Sequence, residues 1–363
     1  MVRAGFLRPA AQPRHGYAAA RAVGRAAGLP VGGRRGQAPA RGRDAHLARR
    51  ARGLSGGCPR HGHKEAPMRL LSWNVQWFCG MDGRVDVARV LAHALAWGQQ
   101  PDVIALQEVA QGYPGLVGHD GADQLAQVCA ALPGYEVFYA PALDEWRPGL
   151  AQRQRFGNLI ATRLPVWRVQ HVALPYPADP CVPSMPRVLA ALTVQAPWGP
   201  LRVGSTHLAY YSLRQRTAQA RALLAWQQEA AELAAHPPIL GEERADTPFQ
   251  TRPHAADAVL MGDFNAAPDD PAYGVLTGAV SPVGQPLWWD AWRLCRPETA
   301  QPPTFRVHED GVHPVTCDYA FVSAGLRARV MRVQIDAATL WSDHQPLLVE
   351  LRGADGIAGH AHG

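Results

Sequence analysis

The segment Val259-Leu260-Met261-Gly262-Asp263-Phe264-Asn265 places two polar side chains directly after an apolar run. The apolar part predicts a buried strand, and the residues from Gly262 onward predict where that strand ends. Asp263 and Asn265 are two residues apart, so they project to the same side of an extended segment. The pair is therefore a stronger sign of a functional site than one isolated polar residue.

The same pattern recurs along the chain: an apolar strand ends in a polar residue whose burial would cost free energy. Carboxylates that converge at strand ends repel one another unless a cation or a proton neutralises them. A few carboxylates suit Mg²⁺ or Mn²⁺, and neighbouring histidines and asparagines can donate hydrogen bonds to a phosphoryl group. The other residues of this kind are Asn74, Glu108, His207, Asp318, Asp343 and His344.

Each motif also has an ordinary structural explanation when it is taken alone. Asn74 could be a turn residue, and Glu108 could be solvated or salt-bridged. His207 could be a satisfied half-buried histidine, and Asp343-His344 could cap a turn. The order of six such elements, each tied to a strand, favours the functional interpretation.

From Met68 onward, apolar segments alternate with turn signals. Apolar spacing predicts helices at Val85–Trp97, Ala122–Leu132 and Leu213–Leu233. Short apolar runs such as Val103–Leu106 predict strands. Because a helix does not follow every strand, the pattern excludes a (β/α)₈ barrel and favours stacked sheets covered by helices.

The ordered series of motifs resembles the endonuclease/exonuclease/phosphatase superfamily, which has the deoxyribonuclease I-like fold. The resemblance covers about residues 68–352. It implies an α+β fold, a four-layer α/β/β/α sandwich in which two packed mixed β-sheets are flanked by helices. It also implies divalent-metal hydrolysis of a phosphate ester at one edge of the sheets. The matching segments are Ser72-Trp73-Asn74-Val75, Leu106-Gln107-Glu108-Val109, Gly157-Asn158-Leu159-Ile160, Ser205-Thr206-His207-Leu208, Met261-Gly262-Asp263-Phe264-Asn265, Cys317-Asp318-Tyr319-Ala320-Phe321-Val322-Ser323 and Ser342-Asp343-His344-Gln345-Pro346.

The resemblance implies a metal site and a water-activating pair. Glu108 corresponds to the main ligand of one Mg²⁺ or Mn²⁺ ion, and Asn74 and Asp343 complete or support that site. Asp263 corresponds to the residue that orients or deprotonates the attacking water. Asn265 would hold a phosphate oxygen and position Asp263.

The resemblance further implies residues that face the phosphate. His207 corresponds to a histidine that contacts the phosphate and assists the leaving group. His344 corresponds to a second such histidine, with Asp318 as its carboxylate partner. Three further residues are expected to bind substrate: Asn158, Arg187 and Arg216. For the two arginines, the alternative is a solvated position on the surface.

Three departures from the family pattern narrow the expected number of metal ions and the expected substrate. Gln76 stands where nuclease members often carry an acid, so we expect one metal ion rather than two. Tyr319 stands where the inositol-phosphate phosphatases carry arginine, which argues against that branch. Abasic-site repair nucleases are rich in lysine, whereas Lys64 is the only lysine of this chain.

The charge of the chain is divided unevenly. Residues 1–67 contain 14 of the 36 Lys and Arg residues with only two acidic residues, a net charge of +12. Residues 68–363 contain 22 basic and 28 acidic residues, a net charge of −6. The basic pI of 9.2 thus reflects the N-terminal segment. A positive field that would gather long duplexes is not expected around the catalytic domain.

We expect three regions in the chain. Residues 1–67 are a disordered basic extension, either a flexible arm for anionic polymers or an over-extended reading frame. Residues 68–352 form the catalytic domain, and residues 353–363 form a flexible tail. Six cysteines without a C-x-x-C pair fit reduced thiols and a cytoplasmic location. No apolar run is long enough to cross a membrane.

The combined sequence evidence predicts a monomeric, cytoplasmic nuclease, with nucleic acid as its substrate. One alternative is a phosphatase or phosphodiesterase that acts on a small phosphorylated metabolite or lipid head group. Another is a catalytically idle module that binds phosphate-bearing ligands. The aromatic run Trp288–Trp292 could be a base-stacking platform or part of the core.

Overall fold

The computed structural model describes residues 66–150, 152–237, 254–281 and 284–353, which contain twelve strands, five α-helices and two short 3₁₀ helices, Gln76–Phe78 and Ala324–Arg329. The strands are β1 (Met68–Asn74), β2 (Val103–Gln111), β3 (Glu136–Glu145), β4 (Gln154–Thr162), β5 (Val166–Ala173), β6 (Val188–Ala196), β7 (Gly199–His207), β8 (Ala258–Asp263), β9 (Trp289–Asp290), β10 (Asp318–Val322), β11 (Val330–Ile335) and β12 (Leu347–Leu351). The helices are α1 (Val87–Trp97), α2 (Gln124–Ala131), α3 (Leu213–Ala235), α4 (Pro271–Gly278) and α5 (Ala291–Cys295).

The strands form two six-stranded mixed sheets. The first has the order β11-β12-β1-β2-β4-β3, and the second has the order β5-β6-β7-β8-β10-β9. Each sheet contains one parallel pair near its centre, β1 with β2 and β7 with β8. The carboxyl ends of a parallel pair lie at the same edge of a sheet. These two pairs therefore decide where the polar strand ends meet.

The sheets pack face to face, and helices cover their outer faces. Leu70 and Ile160 of the first sheet share one buried cluster with Val203 and Met261 of the second. A second cluster lies between the first sheet and α1, and a third lies between the second sheet and the helices α3 and α4. These layers confirm the predicted four-layer α/β/β/α sandwich.

Aspartate side chains define where two helices begin. Asp86 accepts a hydrogen bond from the backbone N–H of Arg89, and Asp123 does the same for Ala126. An N-cap residue lies just outside the helix that it caps. The helices therefore start at Val87 and Gln124, each two residues later than the apolar spacing predicted.

Residues near the two ends of the domain are neighbours in the first sheet. β1 pairs antiparallel with β12, and Met68 lies opposite Leu351. The indole Nε1 of Trp73 donates a 2.9 Å hydrogen bond to the carbonyl oxygen of His344. The hydroxyl of Ser342 donates a 2.8 Å hydrogen bond to the carbonyl oxygen of Asn74. The segment before β12 is thereby held against the end of β1.

Several predictions concern residues that the structure leaves undescribed. The N-terminal extension at 1–67 and the tail at 353–363 lie outside the described residues, apart from residues 66, 67 and 353. Within the described part, no helix is both long enough and apolar enough to span a bilayer.

The aromatic run belongs largely to the core. Trp288 is 1% exposed and stacks on Trp226 with 6.4 Å between the ring centroids. Trp292 is buried as well, and its indole donates to the carbonyl oxygen of Thr299. Of the two interpretations, the structure supports core packing.

Candidate active site

The two parallel strand pairs bring three of the predicted polar residues to one edge of the sandwich. Asn74 ends β1, His207 ends β7 and Asp263 ends β8. In the second sheet, Asp263 lies opposite both His207 on β7 and Asp318 on β10. Asn74, His207, Asp263 and Asp318 are all buried. The site is therefore built on the rigid ends of central strands.

Gly262 allows β7 and β8 to approach each other next to Asp263. Its φ of +143° is rare for residues with a side chain. A Cβ at this position would overlap the carbonyl oxygen of Thr206. A glycine is thus required directly before the central carboxylate of the site.

Glu108 lies in a β-bulge rather than after the end of a strand. Gln107 and Glu108 together oppose the single residue Asn158 of β4. Glu108 has a φ of +62°, and such a conformation costs a non-glycine residue roughly 1–3 kcal/mol. Bulges re-aim side chains and are frequent next to active sites. The predicted strand Val103–Leu106 therefore continues through the bulge to Gln111.

Asn74 connects the expected metal ligand with the expected water-activating carboxylate. Its Nδ2 donates to Oε1 of Glu108 at 3.2 Å and to Oδ2 of Asp263 at 3.1 Å. The backbone N–H of Asn265 donates to the other oxygen of Asp263 at 2.8 Å. Two donors thus fix both carboxylate oxygens of Asp263, which fits the positioning role expected for Asn265.

His344 is held between a carboxylate and an aromatic ring. Its Nδ1 lies 2.9 Å from Oδ2 of Asp318, and its ring stacks on Phe305 with 4.4 Å between centroids. Burial opposes the charged imidazolium, but the combined attraction of Asp318, Asp263 and Asp343 outweighs it. The pKa of His344 is thereby raised to about 10. His344 is therefore a cation at neutral pH.

His207 has the opposite electrostatic environment. Burial lowers its pKa well below the ordinary value, and the positive charges of Arg187 and His344 lower it further. Its Nε2 lies 3.4 Å from Oδ2 of Asp263, and its Nδ1 lies 3.8 Å from Oε1 of Glu108. The site therefore combines one charged and one neutral imidazole.

The pKa values of three carboxyl groups in the site are raised, because burial disfavours their charged forms. Burial and the charge of Asp343 raise the pKa of Glu108 to about 7. Burial also raises the pKa of Asp343 and that of Asp263 above their ordinary values. Carboxylate oxygens that repel one another suit a divalent cation, because its charge removes the repulsion. Glu108 and Asp343, both at the cleft, fit as ligands, and Asn74 fits as the group that orients Glu108.

A neighbouring group of buried residues could also hold a metal ion. The possible ligand atoms of Asp263, Cys317, Asp318 and His344 all lie within 4.8 Å of one another. Burial raises the pKa of Cys317 well above its ordinary value, so its thiol stays protonated, whereas metals bind the thiolate. Asp318 and His344 are already bonded to each other. Glu108 and Asp343 are therefore the better ligands for a hard cation.

A cleft of about 430 Å³ opens beside these side chains. Most of the expected catalytic and metal-binding residues line it, together with aromatic and charged residues that the sequence motifs did not indicate. Apart from Phe156 on β4, these additional residues lie outside the strands and α-helices, and no sequence pattern predicts them as a group. They are Trp77, Phe156, Met185, Tyr210, Tyr211, Phe305, Arg306 and Glu309.

The three expected substrate contacts differ in where the structure places them. Arg187 lines the cleft, and its Nε and Nη1 are buried and make no hydrogen bond to any described residue. Asn158 is buried between the sheets, where its Nδ2 donates to the carbonyl oxygens of Val188 at 2.8 Å and Ser205 at 3.4 Å. Asn158 therefore holds the backbone next to Arg187, and its contact with substrate stays a prediction.

Arg216 is also placed as a positioning residue. Its guanidinium lies 2.7 Å from Asp270, and its Nη1 donates at 2.8 Å to the carbonyl oxygens of Ala209 and Tyr210. Arg216 is not among the residues that line the cleft. Its donors hold the loop after β7, and its contact with substrate stays a prediction.

Comparisons with known proteins agree with the fold and identify the family. The model of the endonuclease/exonuclease/phosphatase family matches residues 71–344. No curated protein matches the chain. An endonuclease/exonuclease/phosphatase from Beutenbergia cavernae DSM 12333 superposes with a TM-score of 0.55 at 22% identity, covering 81% of this chain and 74% of that one.

Two structures from Bacteroides thetaiotaomicron are similarly related. A family protein superposes with a TM-score of 0.54 at 17% identity, covering 82% of this chain and 98% of its own. The mannosyl-6-phosphatase Bt3783 gives a TM-score of 0.54 at 18% identity, covering 78% and 99%. At such identities these likenesses establish the fold, and the family match establishes the relationship. The chain belongs to the endonuclease/exonuclease/phosphatase family, whose members are phosphoesterase hydrolases.

Proposed function

We propose that this phosphoesterase is a Mg²⁺- or Mn²⁺-dependent nuclease, which cleaves phosphodiester bonds with one bound ion. The observation that carries the proposal is the position of Arg187. Two of its buried guanidinium donors lack a partner in the described structure, and they lie in the cleft with Glu108 and Asp263. A buried cation with free donors beside an acidic group suits a phosphate that lies between them.

The role proposed for Asp263 is to hold and deprotonate the attacking water. Its carboxylate is fixed by Asn74 and by the backbone of Asn265, and burial raises its pKa. A carboxylate with a raised pKa is a better base than an exposed one. A divalent ion held by Glu108 and Asp343 supplies positive charge to the phosphoryl oxygens when it is bound.

The two histidines have different proposed roles because their charge states differ. His344, which Asp318 keeps protonated, donates a hydrogen bond from Nε2 to a phosphoryl oxygen and stabilises the charge that grows there. His207 is neutral, and it donates a hydrogen bond to the phosphate and assists the departing oxygen. Arg187 neutralises a further phosphoryl oxygen.

A nucleic acid substrate is favoured by the aromatic side chains of the cleft. Tyr210, Tyr211 and Phe305 line it next to the expected phosphate position, and nucleobases stack on such rings. The second candidate is a phosphatase or phosphodiesterase for a small phosphate ester. This candidate is supported by the net charge of −6 on residues 68–363, because a negatively charged protein attracts a long polyanion poorly.

Substrate profiling of the full chain tests the proposal. The protein is incubated with Mg²⁺ or Mn²⁺ and with single-stranded DNA, duplex DNA, RNA, and the bis- and mono-p-nitrophenyl phosphates. We expect hydrolysis of nucleic acid and of the diester. Hydrolysis of monoesters alone would replace the nuclease with the phosphatase, and no hydrolysis of any substrate would favour a phosphate-binding module.

We further propose that the protein acts as a monomer in the cytoplasm. The five cysteines within the described ranges are free thiols, which supports a reducing compartment. Size-exclusion chromatography with light scattering measures the oligomeric state.

A further inference from the structure

A continuous series of ring contacts leads from His344 to the surface of the cleft. The imidazole of His344 stacks on Phe305 at an interplanar angle of 27° and a centroid distance of 4.4 Å. Phe305 meets Tyr210 edge to face at 6.3 Å, and Tyr210 meets Tyr211 edge to face at 4.7 Å. We name these three rings, Phe305, Tyr210 and Tyr211, the aromatic wall.

The aromatic wall is accessible although it begins at a buried histidine. Tyr210 is 45% exposed and Tyr211 is 59% exposed, whereas the His344 residue is 4% exposed. Large aromatic side chains usually contribute to cores, where they bury most of their surface. Two adjacent exposed rings at the mouth of a cleft therefore indicate a surface that a ligand covers.

The backbone that carries the wall is held in place. The carbonyl oxygen of Tyr210 accepts a hydrogen bond from Arg216, and the N–H of the preceding Ala209 donates to Oε1 of Gln219 on α3. On the other side, Phe305 forms an isolated bridge with His344. Rings on such a fixed backbone lose little conformational entropy when a ligand packs on them.

Charge alone does not explain how a polymeric substrate would be held. Of the two arginines that line the cleft, Arg306 is paired with Glu309 at 2.7 Å, and only Arg187 has unpartnered buried donors among the described cleft residues. Residues 68–363 carry a net charge of −6. Stacking on aromatic rings is the other main source of affinity for nucleic acid strands, roughly 1–3 kcal/mol per base.

We infer that the aromatic wall is a subsite for an unpaired nucleobase, which stacks on Tyr211 while its neighbouring phosphate lies at His344 and Arg187. This inference rests on the proposed nuclease function and narrows it to single-stranded or frayed nucleic acid. Inside a duplex, both faces of each base are covered by neighbouring bases. Tyr211 can therefore stack only on a base that has left the helix.

The experiment compares three substitutions of Tyr211 in the full chain: Tyr211→Phe, Tyr211→Leu and Tyr211→Ala. Cleavage by each variant and by the parent is measured on a short single-stranded DNA and on the same strand with reduced abasic sites. Trp146→Ala is the control, because Trp146 is also an exposed aromatic residue, 62% accessible, and does not line the cleft. Binding is measured separately by fluorescence anisotropy of the labelled strands in an Asp263→Asn background, in which cleavage is blocked.

We expect Tyr211→Ala to raise KM for the normal strand by about tenfold or more, with kcat within about twofold of the parent. Anisotropy should show a similar loss of affinity. Tyr211→Phe should match the parent, and Tyr211→Leu should resemble the alanine variant because bulk without a ring cannot stack. The abasic strand should bind the parent and the alanine variant equally weakly.

Two failures can be told apart. If the parent cleaves no nucleic acid but hydrolyses monoesters, the proposed function is wrong. If the parent cleaves DNA and Tyr211→Ala alters neither KM nor anisotropy, the base-stacking subsite is wrong. An equal loss on the normal and the abasic strand would also overturn it, because the ring would then act on the backbone.

Discussion

Nδ1 of His344 lies 2.9 Å from Oδ2 of Asp318, and both side chains are nearly inaccessible to solvent. Asp318 begins β10 of the second sheet, whereas His344 precedes β12 of the first. The pair therefore joins the two sheets at the edge where the site lies. A shift of one sheet against the other would break it.

We expect the members of this pair to act as one unit. Asp318→Asn and His344→Ala should each lower kcat steeply, by about 10²-fold or more. The double variant should be little worse than the poorer single variant, because groups that act together are strongly non-additive. Steady-state kinetics of the parent and three variants provides the measurement, and multiplied losses would show that the residues act independently.

The pH profile gives a second readout of the same pair. Because the pKa of His344 is raised to about 10, the imidazolium persists at neutral pH and is lost as the pH rises through that value. Removing the negative charge of Asp318 lowers this pKa. The alkaline fall in activity should therefore begin at a lower pH in Asp318→Asn than in the parent. Coinciding profiles would contradict the assigned role of Asp318.

Glu108→Gln should abolish activity and weaken binding of Mn²⁺, because the neutral amide is a poorer ligand for a hard cation than the carboxylate. Calorimetric titration with Mn²⁺ measures the change in affinity. Glu136→Gln, an exposed position at the start of β3, is the matched control. An unchanged affinity in the Glu108 variant would remove this residue from the metal site.

The same variant should also change how stability depends on pH in the absence of metal. The pKa of Glu108 is raised from 4.5 to about 7, so the protonated carboxyl contributes stability below pH 4.5 that is lost as the pH rises through 7. Glutamine remains neutral throughout. Thermal melts with chelator at pH 8 should therefore show Glu108→Gln at least as stable as the parent.

Arg187→Ala should lower kcat/KM by about 10²-fold while the unfolding temperature stays within a few degrees of the parent. The guanidinium has two buried donors without partners in the described structure, so its removal breaks few contacts. Arg187→Lys should recover part of the activity, because lysine keeps the charge but not the planar donor geometry. Arg221→Ala, exposed on α3, is the control. A large loss of stability without a kinetic effect would point to a structural role.

Deletion of residues 1–67 should leave turnover of a small substrate unchanged. The shortened chain still begins with β1, and its first residue Met68 still pairs with Leu351. The 14 basic residues that are removed could contribute salt-sensitive binding to long polyanions. Rates on bis-p-nitrophenyl phosphate and salt-dependent binding of long DNA test both parts. A shortened protein that does not fold would place the domain boundary earlier.

Strand ends could be predicted where a run of strand length and the polar residue that follows it indicate the same boundary. At Asp263 and His207, an apolar run of strand length stops at a polar residue, and the structure places both side chains at the same edge. The residues alone indicate stacked sheets covered by helices, and the four-layer arrangement is what the family resemblance implies. In contrast, helices α4 and α5 were missed because each is eight residues or shorter and lacks a clear apolar period.

Other features depend on contacts between distant parts of the chain. The bulge at Glu108 arises from how β2 pairs with β4, and nothing in Gln107-Glu108 alone indicates a positive φ. Arg216 is expected to bind substrate only from the family resemblance, and its ion pair with Asp270, 54 residues away, is visible only in the folded chain. Tyr210 and Tyr211 follow no strand period, so only the folded loop shows that they line the cleft.

The pairing of β1 with β12 has a consequence for the nascent chain. Asn74 is made early, but the hydroxyl of Ser342 that holds its carbonyl oxygen, and the imidazole of His344 beside it, emerge from the ribosome some 270 residues later. Until then β1 lacks its neighbour β12, and the side chain of His344 is absent from the site. A partly translated polypeptide therefore lacks the complete set of side chains at this edge of the sandwich, and we expect it to be inactive as a phosphoesterase.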